Sequence, residues 1–251
     1  MDLAEPSAME QRPVVMENPD GRSRYVILCD HASNAMPSSV AMLGLSAVDI
    51  MTHIAWDPGA LPVAQHLAER LDAPLLWPDT SRLIVDCNRA PDAVDLITVS
   101  GEGREIPGNV GLTPDQRQVR IDAVHEPYHA AIDALIDERA AAGGQSALVA
   151  VHSFTPVFKG EPRPWEVGII FDKDVSLANQ VIEGLRAERS LNVGINQPYS
   201  PADRVFYTLD RHGQQRGLPV VMIEIRNDEI AGVNGQKKWA ERLAAILEAA
   251  E

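Results

Sequence analysis

Short aliphatic runs recur along this chain and are separated by stretches with helical spacing, and this alternation restricts the available folds more than any other feature. The runs cover residues 25–29, 74–77, 83–85, 147–151, 167–171 and 219–225, and most are apolar at consecutive positions. That pattern predicts strands buried on both faces. Between them, Tyr128, Ala131, Ile132, Leu135 and Ile136 form one apolar stripe that ends at Gly143 and Gly144, and Trp239, Leu243, Ile246 and Leu247 repeat the spacing near the end of the chain. Further helices are expected over 61–71, 175–188 and 203–216, and Thr113, Pro114 and Gln116 form a capping-box start. Strands alternating with helices predict an α/β fold, a three-layer αβα sandwich around a mixed, largely parallel sheet. A single domain is expected over 22–251. Residues 1–21, with Pro6, Pro13 and Pro19, read as a flexible N-terminal arm holding at most one short strand.

Charge and cysteine content exclude several functions. A net charge of −14, with no dense Lys/Arg run, disfavours nucleic acid as a partner. No apolar stretch reaches the roughly 20 residues of a membrane helix, and the first twenty residues lack the apolar centre of a signal peptide. A cytoplasmic protein without membrane contact is expected. Cys29 and Cys87 each end an aliphatic run and read as buried free thiols.

The chemistry-bearing residues cluster where the aliphatic runs end, which is where α/β sheets present functional side chains. Cys29-Asp30-His31-Ala32-Ser33-Asn34 follows the first run, Val151-His152-Ser153 ends another, and Trp56-Asp57-Pro58-Gly59 supplies a carboxylate. Two imidazoles and one carboxylate suit a catalytic zinc ion, although Asp before Pro is also a common turn and cap residue. Ser81-Arg82 leads into Asp86-Cys87-Asn88-Arg89, in which Arg89, Asn88 and Arg82 can grip a carboxylate, or Arg89 can simply pair with Asp86. Glu224, among aliphatic neighbours in Ile223-Glu224-Ile225-Arg226, is placed to be a general base with raised proton affinity. His125-Glu126-Pro127-Tyr128-His129 matches H-E-x-x-H. Pro127 argues against a continuous helix there and predicts that the helix starts anew, leaving His125 outside.

Taken in order, His31 with its loop, Asp86-Cys87-Asn88-Arg89, His152-Ser153 and Glu224-Ile225-Arg226 resemble the N-formylglutamate amidohydrolases, relatives of zinc carboxypeptidases and aspartoacylases. The resemblance runs from about Tyr25 to about Asn227 and takes in His129 of Pro127-Tyr128-His129 and Tyr199 of Asn196-Gln197-Pro198-Tyr199. It implies a hydrolase fold of the zinc exopeptidase type, with one zinc ion on His31, His152 and a third ligand. Carboxypeptidases use His-x-x-Glu, whereas this chain has Asn34 at the fourth position, so Asp57 is the candidate anion and Asn34 the alternative. The resemblance further implies Glu224 as base and then acid, Arg82, Asn88, Arg89 and Arg226 around the substrate, and a small acidic N-acyl amino acid, N-formylglutamate first, as the partner. A non-catalytic binding protein on the same fold, or a related zinc carboxypeptidase or deacylase with another substrate, stands beside it. Nothing in the sequence sets an oligomeric state.

Overall fold

The computed structural model describes residues 13–250. Seven strands form one mixed sheet: β1 (Val14–Glu17), β2 (Tyr25–Leu28), β3 (Leu75–Pro78), β4 (Ala147–Phe154), β5 (Val167–Ile170), β6 (Val193–Ile195) and β7 (Val220–Arg226). Their order across the sheet is β1-β3-β2-β4-β7-β5-β6. Strands β3, β2, β4 and β7 are mutually parallel, β1 is antiparallel at one edge, and β5 with β6 runs antiparallel to β7 at the other. Helices α1 (Ala60–Leu71), α4 (Ser176–Ala187) and α6 (Val233–Ala249) cover one face. Helices α3 (Glu126–Ala141) and α5 (Tyr207–His212) cover the other, with α2 (Pro114–Arg120) leading into α3.

The period-two alternation of a strand divides the core. Tyr25, Ile27, Val149, Val151, Val221 and Ile223 pack with Val63, Leu67, Trp239 and Leu243 on the first face. Val26, Leu28, Leu148, Ala150, Val220 and Met222 pack with Tyr128, Ile132, Leu135 and Leu209 on the second. Removing about 25 cal/mol of unfavourable hydration per Å² of apolar surface on both faces makes this sheet the rigid part of the molecule. Beyond their cores, β4 and β7 carry His152 and Glu224 onto the second face, and those two residues are direct register partners.

Several expectations change. Val14–Glu17 is an edge strand hydrogen-bonded to β3, so this part of the expected arm belongs to the sheet, while residues 1–12 lie outside the described residues. Residues 83–85 are a buried turn rather than a strand: the amide of Ile84 donates to Ser81 O, and Leu83 and Ile84 fill a separate cluster with Leu43, Ile54 and Ile106. The helix expected over 203–216 breaks into short pieces around α5, with Arg204 left-handed at φ 62°. The helix around Pro127 does not start anew. Ile121–His125 forms a π-helical turn continuous with α3, and this change of register takes up the missing Pro127 amide. The capping box at Thr113 and Gln116 forms as expected. Among the described residues no helix is long and apolar enough to cross a membrane.

Candidate metal and catalytic site

Three chain segments converge at the ends of β2 and β4. His31 lies in the turn after β2, Asp57 lies just before α1, and His152 lies on β4. The Asp57 amide donates to His31 O over 2.9 Å, fixing the second segment to the first. Gly59 makes the link to α1 possible. Its φ is +84°, and a Cβ there would sit 2.5 Å from Ile230 O.

The carboxylate of Asp57 joins the two imidazoles. Its Oδ2 lies 2.9 Å from His152 Nδ1 and 3.4 Å from His31 Nδ1, and it accepts the Ser153 amide at 3.3 Å. The opposite nitrogen of each ring faces a second carboxylate: His31 Nε2 is 2.8 Å from Asp86 Oδ1, and His152 Nε2 is 3.0 Å from Asp30 Oδ2. A neutral imidazole donates from one nitrogen only and so cannot satisfy carboxylates on both sides. At His152 a cation is needed on the Nδ1 side, either a proton or a metal ion, whereas His31 Nδ1 also has the Arg82 guanidinium at 3.3 Å. With Asp86 and Asp30 accepting from Nε2–H, the Nδ1 lone pairs of both rings turn toward Asp57, the carboxylate–histidine arrangement that orients metal ligands. One donor atom from each of His31, Asp57 and His152 lies within 4.8 Å of the others, a spacing of the order that a single ion with bonds of about 2 Å bridges.

The electrostatics agree. Burial works against charge on His31, but Asp86 and Asp57 outweigh it and hold the ring above its ordinary pKa. His152 is likewise raised well above the usual value, with hydrogen bonds to Asp30 and Asp57 overcoming burial. Asp57 stays well below the usual carboxylate range because His31 and Arg82 outweigh its desolvation. Glu224 goes the other way. Burial pushes its carboxyl up, His152 opposes the shift and Asp57 adds to it. Its Oε2 is sealed from solvent and has no hydrogen-bond partner among the described residues. A buried carboxylate oxygen without a donor is costly unless another group comes to it.

These residues line a cleft of about 260 Å³, below the usual range for drug-sized ligands and suited to a small molecule. Of the sequence-predicted residues, His31, Asp57, Arg82, Asn88, Arg89, His152, Tyr199 and Glu224 share this cleft. Arg82 serves the donor cluster itself, with Nη1 3.1 Å from Asp57 Oδ1 and further hydrogen bonds to the carbonyls of Ile54 and His53. The Asn88 side chain donates to Val205 O and accepts the Thr208 amide, which fixes the loop beneath Arg89. Arg89 bonds Asp95 at 3.1 Å and lies 4.0 Å from Asp86.

Three expected residues are elsewhere. Asn34 donates its side-chain amide to Ile50 O at 3.0 Å and is not among the residues that line the cleft. His129 is buried below the loop, 2.9 Å from Cys87 O and 2.7 Å from His212. Its neighbour His125 bonds Arg89 O through Nε2, so H-E-x-x-H forms no metal pair. Arg226 pairs with Asp228, Glu166 and Glu229 outside the cleft, because it closes β7 where the chain turns toward α6. Sequence reasoning left Asp30 and Asp86 without their role behind the histidines, although each adjoins or precedes a singled-out residue. It also missed His53, which lies 3.4 Å from Asp57 and 2.9 Å from Glu102. A histidine four residues before Asp57 in an apolar run was the available signal.

Fold and site together define an α/β protein of hydrolase type with a buried His-Asp-His donor set at its strand ends. The chain belongs to the N-formylglutamate amidohydrolase family, whose sequence model matches residues 23–231. It is similar to the gene product Atu2144 from Agrobacterium tumefaciens, with 41% identity and a TM-score of 0.94 over 96% of this chain and 95% of that one. It shares its fold with an N-formylglutamate amidohydrolase from Ralstonia eutropha JMP134, with 19% identity and a TM-score of 0.67 over 95% of this chain and 97% of that one. No curated protein matches the chain.

Proposed function

We propose that this protein is a zinc-dependent amidohydrolase that cleaves the amide of a small N-acyl amino acid, N-formylglutamate first among them, to the carboxylate and the free amino acid. The observation that carries this is the orphaned Oε2 of Glu224, on the strand position in register with His152 and in the cleft that holds the donor cluster. The donor set fits zinc, with His31, Asp57 and His152 to hold it and Asp86 and Asp30 to fix the rings. When bound, zinc supplies a Lewis acid that polarises the acyl carbonyl and makes water a stronger acid.

Glu224 then acts on protons. Its raised affinity lets it take one from the attacking water and return it to the leaving nitrogen. Arg82 keeps Asp57 ionised and in place. Arg89, with Nη2 unpaired among the described residues, contacts a substrate carboxylate, and Asn88 holds the loop that carries it. A binding-only module gives no reason to bury an unsatisfied glutamate beside two histidines.

The test is metal content followed by turnover. Purified protein should carry about one zinc per chain, release formate from N-formylglutamate, lose that activity to a chelator and regain it on addition of zinc. Metal-loaded protein inert toward every N-acyl amino acid tried would refute the proposal.

A further inference from the structure

His125, His129 and His212 take no part in the donor cluster and are buried in contact with one another. Ring centroids are 4.3 Å apart for His125 and His129, and 5.0 Å apart for His129 and His212. His125 closes the π-helical turn and His129 follows on α3. Each points Nε2 at a backbone carbonyl of the turn at 86–89: His129 lies 2.9 Å from Cys87 O, and His125 lies 3.0 Å from Arg89 O. A buried carbonyl without a donor is costly, so both rings support the turn. Only one of them meets a peptide that also reaches the donor cluster.

The Cys87–Asn88 peptide is trans, so its carbonyl and its N–H point in opposite directions. On one side Cys87 O faces His129. On the other the Asn88 amide donates to Asp86 Oδ1 at 2.8 Å, and the same oxygen receives His31 Nε2 at 2.8 Å. An unbroken line of hydrogen bonds therefore runs from His129 through this peptide and Asp86 to His31. Thr208 is no substitute for His129. Its Oγ1 is 3.3 Å from Cys87 O, but its one proton goes to the Asp30 carboxylate at 2.8 Å. A carbonyl only accepts, so His129 carries its proton on Nε2, and its Nδ1 accepts from His212 Nε2 at 2.7 Å. Asp133 Oδ1, 2.9 Å from His212 Nδ1, is partly exposed and has Arg216 and Arg211 to meet its charge, so the buried contacts decide where the ring protons lie. Burial, with His125, His212 and Arg211 adding to it, holds the His129 pKa down to about 2 and keeps the ring neutral.

We propose that His129 is a positioning residue of the metal site, acting through the Cys87–Asn88 peptide and Asp86 to hold His31 with its Nδ1 lone pair toward Asp57. Hydrogen bonds in a chain polarise one another, so losing the first donor weakens the last contact. This rests on the zinc site proposed above and extends it to a residue that neither binds the ion nor lines the cleft. His125 is the matched control, being equally buried and bonded to the same turn, but at the Arg89 carbonyl instead of the peptide that supports Asp86.

The experiment reads the zinc affinity of the full chain by competition with a chelator, with circular dichroism to verify the fold. Gln carries its amide nitrogen where Nε2 of histidine lies and can still donate to Cys87 O, whereas Asn carries it where Nδ1 lies and leaves that carbonyl unmet. His129→Gln should bind zinc within about threefold of wild type. His129→Asn should bind it about tenfold more weakly, the low end of the loss expected behind a ligating histidine, because the effect passes through a further peptide. His125→Asn should stay within about threefold of wild type. Equal zinc affinity in the two His129 variants, or a loss in His125→Asn as large as in His129→Asn, would overturn the proposal. Proton NMR of the metal-free protein needs no zinc: the His31 Nε2–H resonance should move upfield in His129→Asn and hold its place in His129→Gln. That pattern in a protein that takes up no zinc would refute the metal site and leave the line from His129 to His31 standing. An unmoved resonance in a protein that binds zinc normally would refute the line alone.

Discussion

Replacing Asp30 with Asn keeps the shape of the side chain and reverses the hydrogen-bonding demand on His152. Asp30 is 1% exposed and both of its oxygens are engaged: Oδ1 takes the hydroxyls of Tyr128 at 2.9 Å and Thr208 at 2.8 Å, and Oδ2 faces His152 Nε2 at 3.0 Å. Asn can be placed in two ways. With its oxygen on the two hydroxyls, its amide donates to His152 Nε2, the ring proton moves to Nδ1, and the nitrogen facing Asp57 and His31 loses its lone pair. With the amide flipped, His152 keeps the correct tautomer but the fully buried Tyr128 hydroxyl loses its acceptor, at about 1–3 kcal/mol. Either way zinc affinity should fall by about 10- to 100-fold, the range found when a carboxylate behind a ligating histidine is removed. The assay is zinc titration against a competing chelator at pH 7.5, with circular dichroism to verify the fold. A zinc affinity within twofold of wild type, in a folded variant, would refute the argument that Asp30 sets the His152 tautomer.

Glu224→Gln should retain zinc and glutamate binding while kcat falls by about 10²- to 10⁴-fold, measured by steady-state formate release; unchanged kcat would remove Glu224 from the chemistry. His129 is held down to about 2 by burial, with His125 and His212 adding to the effect, so the unfolded chain binds a proton near pH 6.5 that the folded chain refuses. Its contribution is therefore full above about pH 6.5 and declines as the solution is acidified. The stability advantage of wild type over His129→Gln in urea denaturation should shrink by about 2 kcal/mol between pH 7 and 5, whereas a widening gap would contradict the sign. Gly59→Ala meets both a positive φ and the Ile230 carbonyl, so it should cost more than about 2 kcal/mol in thermal denaturation and weaken zinc binding by displacing Asp57. Equal stability would show that this turn is not under constraint.

The layers and most strands were legible because parallel strands covered on both faces must be aliphatic at consecutive positions. The clusters at 29–34, 86–89, 151–153 and 223–226 marked where the chemistry gathers. Strand ends alone did not say which charged residue faces which. Arg226 and Glu224 are two residues apart and therefore lean toward the same face, yet the chain turns away after β7 and takes Arg226 to Glu166 and Asp228. The aliphatic run at 83–85 was misleading for a related reason. A turn that buries Leu83 and Ile84 in a small separate cluster has the same local composition as a strand. His53 reaches the site from a turn, and long-range placement of that kind leaves no periodic trace in the sequence.

The pairing of His152 with Glu224 across two adjacent parallel strands makes their relative position a property of the whole sheet. A slip of one residue would turn every side chain of β7 to the wrong face, so this spacing can be lost only by taking the domain apart. Glu102 and Tyr199, by contrast, line the cleft from segments outside the sheet, whose lengths and sequences can change one at a time. The molecule thus separates what has to be inherited intact from what can be varied: the rim of the cleft can drift along the loops while the spacing of His152 and Glu224 is carried forward by ordinary hydrophobic strands.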